Sequence, residues 1–279
     1  NLPISIIFAD VNGLKLTNDI FGHTAGDNLI RKSAEIIRKA CREGDTIARV
    51  GGDEFILLLL GTGAREAEKI INRIKAGLSG EKVEAIKCSM ALGTDTKTQS
   101  SQNIEEIISN AEDAMYKEKT LNRKANNSET LNAIINTLHE INPEERRHSI
   151  QVGEVCESIA RELKLPETEV NKVKRAGYLH DIGKVVLKKD LVENRRPLTD
   201  AEINEIQQHT AISYRILNLF DETLDIADAV YSHHERWDGL GYPQGLKAEE
   251  IPLFSRIISL AEAYERRMHG FERANPPKK

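Results

Sequence analysis

Cysteine, net charge and long apolar runs are all scarce in this chain, and each scarcity excludes a class of protein. The three cysteines, Cys41, Cys88 and Cys156, are widely spaced and form no CxxC pair. They read as core thiols of a protein kept in a reducing cytoplasm rather than as a disulfide framework. Lys and Arg number 39 against 44 Asp and Glu, a formal charge of -5. Such a balance does not mark a general nucleic-acid binder, so a nucleotide ligand is expected to be small. The longest apolar run, Phe55–Leu60, falls far short of the roughly 18 residues a membrane span needs, so no membrane segment is expected. No charged, then apolar, leader opens the chain: Leu2 to Asp10 reads as a buried strand ending in a carboxylate. The abrupt start has the character of a fragment. No internal repeat or low-complexity tract is present.

What is there divides into two. At 279 residues the chain is long enough for two domains of the usual size of about 150 residues. Up to about residue 124, strand-like and helix-like stretches alternate. Ile4 to Ala9 is apolar; Ile30, Ala34, Ile37, Ala40 and Cys41 recur at helical spacing; and Thr46 to Val50 and Glu54 to Leu60 flank a Gly51-Gly52-Asp53 turn of hairpin type. A helix over about Arg65 to Leu78, a strand over about Ala85 to Leu92 and a helix from about Asn103 to Arg123 complete an α/β half. From about Leu131 the strand signal ends, and Val152, Val155, Cys156, Ile159, Ala160 and Leu163 form one apolar helical stripe. The expected class is α+β: an α/β domain over 1–124, a linker or joining helix over 125–143 marked by the polar Lys124 to Glu129 stretch, and an all-helical domain over 144–279.

Asp10 at the end of the first strand and Asp53 in the hairpin can converge if their strands are neighbours. Oxygen ligands of this kind suit Mg²⁺, which is held by one or two carboxylates together with substrate phosphates; a solvated acidic turn is the alternative, because acidic residues are mostly exposed. Asp10-Val-Asn-Gly-Leu-Lys15, Asn18-Asp-Ile-Phe-Gly-His23, Gly26-Asp27, Arg49-Val-Gly-Gly-Asp-Glu-Phe55 and Met115-Tyr-Lys-Glu-Lys119 with Arg123 together resemble the GGDEF family of diguanylate cyclases. The resemblance implies a palm-like cyclase domain with a central sheet, in which two GTP molecules on two facing domains condense to cyclic di-GMP. It assigns Asp10 and Asp53 to Mg²⁺ and Glu54 to activation of the 3′-hydroxyl. Asn18 and Asp27 would contact guanine, and Lys15, Lys119 and Arg123 the triphosphate. Arg42-Glu-Gly-Asp45 resembles the family's RxxD inhibitory site for cyclic di-GMP; alone, such a pair is a surface contact of under about 1 kcal/mol. Asn12 and Leu14 depart from the commonest family residues, and the helix that usually precedes the first strand has no counterpart here.

Five of the eight histidines, His148, His180, His209, His233 and His234, fall in the helical half at positions that could converge. Imidazole with carboxylate is a ligand set for Fe, Mn or Zn rather than Mg, and Glu144, four residues before His148, shares a helical face with it. His180-Asp-Ile-Gly-Lys184, His209 and His233-His-Glu-Arg-Trp-Asp-Gly-Leu-Gly-Tyr-Pro243 resemble the HD-GYP family of cyclic di-GMP phosphodiesterases. That resemblance implies two or three Fe or Mn ions held by Glu144, His148, His180, Asp181, His209, His233, His234 and Glu262, with Asp181 as catalytic bridge. It further implies Lys184 on the scissile phosphate, and Tyr242 against guanine. The tail departs: Ala261-Glu-Ala-Tyr-Glu265 stands where the family has Ala-Asp-x-Tyr-Asp, the cations that follow are not matched by Phe271-Glu-Arg-Ala274, and the final helices are not found.

Three readings follow. The first is a bifunctional cyclic di-GMP enzyme, acting on GTP and cyclic di-GMP as a homodimer without nucleic acid. The second is a catalytically impaired guanine-nucleotide switch. The third is an HD phosphohydrolase for another nucleotide, which the intact Gly241-Tyr242-Pro243 disfavours.

Overall fold

The computed structural model describes residues 2–188, 191 and 196–268, and at 123–126 the backbone only. It divides into two compact units, Asn1–Ala133 and Ile134–Lys279. The expected linker, 125–143, contains the division, and most of it continues one helix, Ile104–Ile141.

In the first unit β1 (Ile4–Val11) is followed by α1 (Leu14–Phe21), α2 (His23–Ala40), β2 (Thr46–Arg49), β3 (Glu54–Leu60) and α3 (Ala64–Ser79). After these come the short β4 (Lys82–Val83) and β5 (Ile86–Lys87), then β6 (Met90–Lys97) and α4 (Ile104–Ile141). The main sheet is antiparallel with order β2-β3-β1-β6, and its register sets Asp10 opposite Glu54. β1 is mostly apolar and buried from Ser5 to Val11 because both faces are covered. Ile7, Ala9 and Val11 pack with α2 and α3 through Leu29, Ile37, Ile70 and Ile74, while Ile6 and Phe8 meet Ile107, Ala111 and Met115 of α4. Gly93 permits that second contact: a Cβ there would come 2.1 Å from the Met115 nitrogen and 2.2 Å from the Ala111 oxygen. The strand expected over 85–92 is displaced to Met90–Lys97, because Cys88 and Ser89 separate β5 from β6. Cys88 and Cys156 are buried and Cys41 half-buried, all as free thiols.

The second unit is helical among the described residues. α5 (Pro143–Glu162) starts at Asn142, whose side chain accepts from the Glu144 and Glu145 amides, with Pro143 in the first turn. Then come α6 (Glu167–Leu179), a 3-10 turn (Ile182–Val186), α7 (Asp200–Gln207), α8 (His209–Leu217), α9 (Leu224–Tyr231) and α10 (Leu253–Met268). α5 packs on α6 and α10, and the 3-10 turn packs on α8, around a core that includes Val152, Cys156, Ala160, Val173, Ile216 and Ile258. The stripe read from sequence stops short of Leu163, which is 52% exposed. No helix is long and apolar enough, among the described residues, to cross a membrane. The Phe271 to Ala274 stretch lies outside the described residues.

Candidate functional site

The helix ends of the second unit converge on Asp181. His180 and Asp181 close α6, His209 opens α8, His233 and His234 follow α9, His148 comes from α5 and Glu262 from α10. Asp181 Oδ2 lies 3.0 Å from His180 Nε2 and 3.9 Å from His148 Nε2; Oδ1 lies 3.1 Å from His209 Nε2 and 4.0 Å from His233 Nε2. Two groups able to hold an ion result, Asp181 with His209, His233 and His234, and His148 with His180, Asp181 and Glu262, and Asp181 is common to both.

The hydrogen-bond pattern decides what this cluster is for. The Nδ1 atoms of His180, His209 and His233 lie 2.7, 2.6 and 2.5 Å from the carbonyl oxygens of Gly177, Ile206 and Val230. A carbonyl only accepts, so each Nδ1 carries its hydrogen, and the deprotonated ring is the tautomer with its lone pair at Nε2. Those three Nε2 atoms, and that of His148, are buried with no hydrogen-bond partner. With a lone pair on Nε2, His209 and Asp181 Oδ1 set two acceptors 3.1 Å apart, a contact that a cation between them satisfies. Two ligand atoms each about 2.1 Å from one ion and at right angles are separated by about 3 Å. The donors therefore fit a metal, and the outer contacts to carbonyls, with Glu265 Oε2 at 2.5 Å from His148 Nδ1, fix the tautomers as such sites require.

Electrostatics keep the rings available. Burial pushes His233 down to about 3 and His148 to about 4, and holds His234 well below the usual imidazole range. His180 is the exception: burial opposes its charge, but the Asp181 carboxylate raises it. Asp181 stays well below the usual carboxylate range in spite of its burial, held there by His180 and Lys184. Glu262 is likewise depressed against burial by His234 and Arg266.

Two expected residues are placed differently. Glu144 is exposed and outside both groups; the buried carboxylate is Glu145, three residues before His148, because Lys184 Nζ reaches it at 3.1 Å. Lys184, 5% exposed, also pairs with Asp181. It therefore neutralises buried carboxylates, Glu145 and Asp181, in this structure. Glu265 is buried beside His148, and a cation does follow it, since Arg266 pairs with Glu262.

The loop after α9 holds Tyr242 against the cluster. Glu235, buried, accepts from the Gln244, Gly245 and Leu246 amides at 2.6, 3.0 and 3.0 Å. A Cβ on Gly241 would come 2.3 Å from the Arg236 nitrogen. The tight return stacks the Tyr242 ring on His234, with centroids 4.8 Å apart.

At the sheet end of the first unit, Asp10 is buried and the Asp53 carbonyl accepts from the Val11 amide at 2.9 Å. Asp10 Oδ2 accepts from Lys119 Nζ at 2.7 Å, and Oδ1 is buried with no hydrogen-bond partner. Burial raises the Asp10 pKa, Lys119 counters this, and the neighbouring charge of Asp53 adds to it. The orphaned oxygen beside a second carboxylate fits a hard cation such as Mg²⁺. Lys119, expected on a triphosphate, is thus engaged with the carboxylate. Asp53 and Glu54 are half-buried, Asn18 is half-buried, and Lys15 and Asp27 are exposed; the Arg123 side chain lies outside the described residues. Arg42 and Asp45 pair at 3.0 Å, and Arg42 also donates to Thr62 Oγ1 at 2.9 Å, tying the pair to the end of β3.

The HD domain profile matches residues 102–278. The chain belongs to the HD domain family. A second profile, that of the diguanylate cyclase GGDEF domain, matches residues 1–125, so this HD protein carries a GGDEF domain ahead of its helical unit. Similar curated proteins include a cyclic di-GMP phosphodiesterase of Thermotoga maritima, 38% identical over 135 residues, covering 47% of this chain and 37% of the relative. A 3'3'-cGAMP-specific phosphodiesterase of Vibrio cholerae is 34% identical over 118 residues, or 42% and 26% of the two chains. A bifunctional diguanylate cyclase/cyclic di-GMP phosphodiesterase of Pseudomonas aeruginosa is 38% identical over 126 residues, or 43% and 18%. The chain spans well under half the length of these relatives. A solved EAL/GGDEF domain protein from M. capsulatus is 37% identical with a TM-score of 0.38, over 42% of this chain and 79% of that one.

Proposed function

We propose that this chain turns over cyclic di-GMP. The HD unit hydrolyses it to the linear dinucleotide, and the GGDEF unit makes it from GTP or binds GTP as a regulator. The observation that carries the reading is the convergence of four buried, unpartnered Nε2 atoms on Asp181, a donor set without purpose in a protein that binds no transition metal. Asp181 is the shared ligand, His209, His233 and His234 complete one ion's set, and His148, His180 and Glu262 the other's; Fe or Mn, as two or three ions, suits imidazole with carboxylate. When bound, such ions lower the pKa of water and stabilise the attacking and leaving oxygens of a phosphodiester. The protein's own part is to keep Asp181 ionised through Lys184, to fix the ring tautomers and to set Tyr242 where a purine can stack beside His234.

In the GGDEF unit, Asp10 and Asp53 hold Mg²⁺, Glu54 activates the 3′-hydroxyl, Asn18 and Asp27 contact guanine, and Lys15, Lys119 and Arg123 bind the triphosphate. Lys119 has to leave Asp10 for that role. This favours a second reading in which the unit binds GTP without cyclising it. Cyclisation requires two such units face to face, hence a homodimer. Arg42 and Asp45 are the candidate inhibitory site.

The test is anaerobic incubation of the chain with Fe or Mn and, in parallel, cyclic di-GMP or 3′3′-cGAMP, the products being resolved by chromatography. Linear diguanylate from the first confirms the reading; turnover of the second alone reassigns the substrate, and turnover of neither removes the phosphodiesterase.

A further inference from the structure

Asp181, the carboxylate common to both ligand groups, sits in the turn from His180 to Gly183 that leads from the end of α6 into the 3-10 turn. Helix ends leave backbone groups without partners inside the helix, and buried ones have to be satisfied elsewhere. Here one side chain serves both sides of Asp181. Ser213 Oγ donates to the His180 carbonyl at 3.1 Å and accepts from the Gly183 amide at 2.8 Å. A hydroxyl can do both because it carries one donor hydrogen and two lone pairs. Ser213 is buried on α8, one turn after His209. Gly183 lets that helix come close, since a Cβ there would stand 2.1 Å from the His209 carbonyl oxygen and 2.6 Å from the Ser213 nitrogen. The helix that carries His209 is thus fastened by a single hydroxyl to the turn that carries Asp181. These two ligands belong to one group, with His209 Nε2 and Asp181 Oδ1 3.1 Å apart. Ligand sets need placement within about 0.5 Å, and alanine at 213 would fill nearly the same space without either bond. We infer that Ser213 is a positioning residue of the metal centre, which sets His209 against Asp181 by clipping α8 to the His180 to Gly183 turn. The inference rests on reading the helical cluster as a metal centre.

The experiment titrates the full chain, stripped of metal, with Co²⁺ for the wild type, Ser213→Ala, Ser213→Thr, His209→Ala and the double variant Ser213→Ala with His209→Ala. Affinity is read by competition with a chromogenic chelator, and ligand geometry by the visible absorption of bound Co²⁺. Ser213→Ala is expected to bind the ion about tenfold more weakly, as loss of an outer-shell partner does, and to shift the absorption bands. Ser213→Thr keeps the hydroxyl and is expected to recover part of that affinity. In the His209→Ala background the same serine change should cost about twofold or less, because the ligand it positions is gone. Unchanged affinity and spectrum in Ser213→Ala overturn the inference. So does an equal loss in both backgrounds, which is what a general weakening of the fold would give. If the wild-type chain takes up no Co²⁺, the metal-centre reading itself falls, and the inference with it.

Discussion

In the helical unit the ionisable groups of the candidate site are mostly buried and come from five separate segments, whereas at the sheet end of the first unit Asp10 alone is buried and its companions are half-buried or exposed. Both places gather carboxylates. They differ in what the surrounding protein has already committed. Burying four imidazole acceptors without partners is costly unless a ligand satisfies them, so the helical site is organised for its ions before any substrate arrives. The sheet-end site needs a nucleotide to complete it: it offers one orphaned carboxylate oxygen and a lysine already engaged with the same carboxylate.

This difference sets the scale of what perturbation should do. Stripping the metals with a chelator should lower the thermal stability of the helical unit most, by about 4 kcal/mol if the ions were present at a thousand times their Kd. The GGDEF unit should melt where it did before, and calorimetry with and without chelator would show both transitions. Next, Glu265→Gln weakens the acceptor on His148 Nδ1, and loss of such an outer-shell partner should cost about tenfold to a hundredfold in metal affinity, read by competition with a chromogenic chelator. Gly241→Ala forces a Cβ against the Arg236 backbone and should destabilise by about 1–3 kcal/mol in denaturant unfolding while releasing Tyr242 from His234. The smallest effect is expected in the exposed site. Asp27→Ala should reduce GTP affinity in the presence of Mg²⁺ by about tenfold, consistent with one lost hydrogen bond to a carboxylate. An unchanged affinity would remove Asp27 from the guanine site and erase the proposed parallel between the halves.

The same contrast explains what could be read from the sequence. Motif positions locked by backbone geometry were legible: the Gly51-Gly52-Asp53 hairpin places Glu54 opposite Asp10, and His180, Asp181, His209, His233 and His234 all reach one cluster. Positions decided by packing were not. Glu144 and Glu145 are equally plausible neighbours of His148 on a helix, at four and three residues, and only the approach of Lys184 selects Glu145. Arg266 belongs to no pattern, and Glu235 acts by accepting three amides from a loop whose path the sequence does not reveal. Met90–Lys97 lies beyond its expected position because its second half is polar and the apolar Ala85, Ile86 and Cys88 come before it.

The most direct measurement is elemental analysis of the chain prepared without chelator, for the wild type and Asp181→Ala. The account predicts about two transition-metal ions or more per wild-type chain, and loss of both positions in Asp181→Ala because that carboxylate is common to both ligand groups. Less than one ion in the wild type, or an unchanged content in the variant, would contradict it.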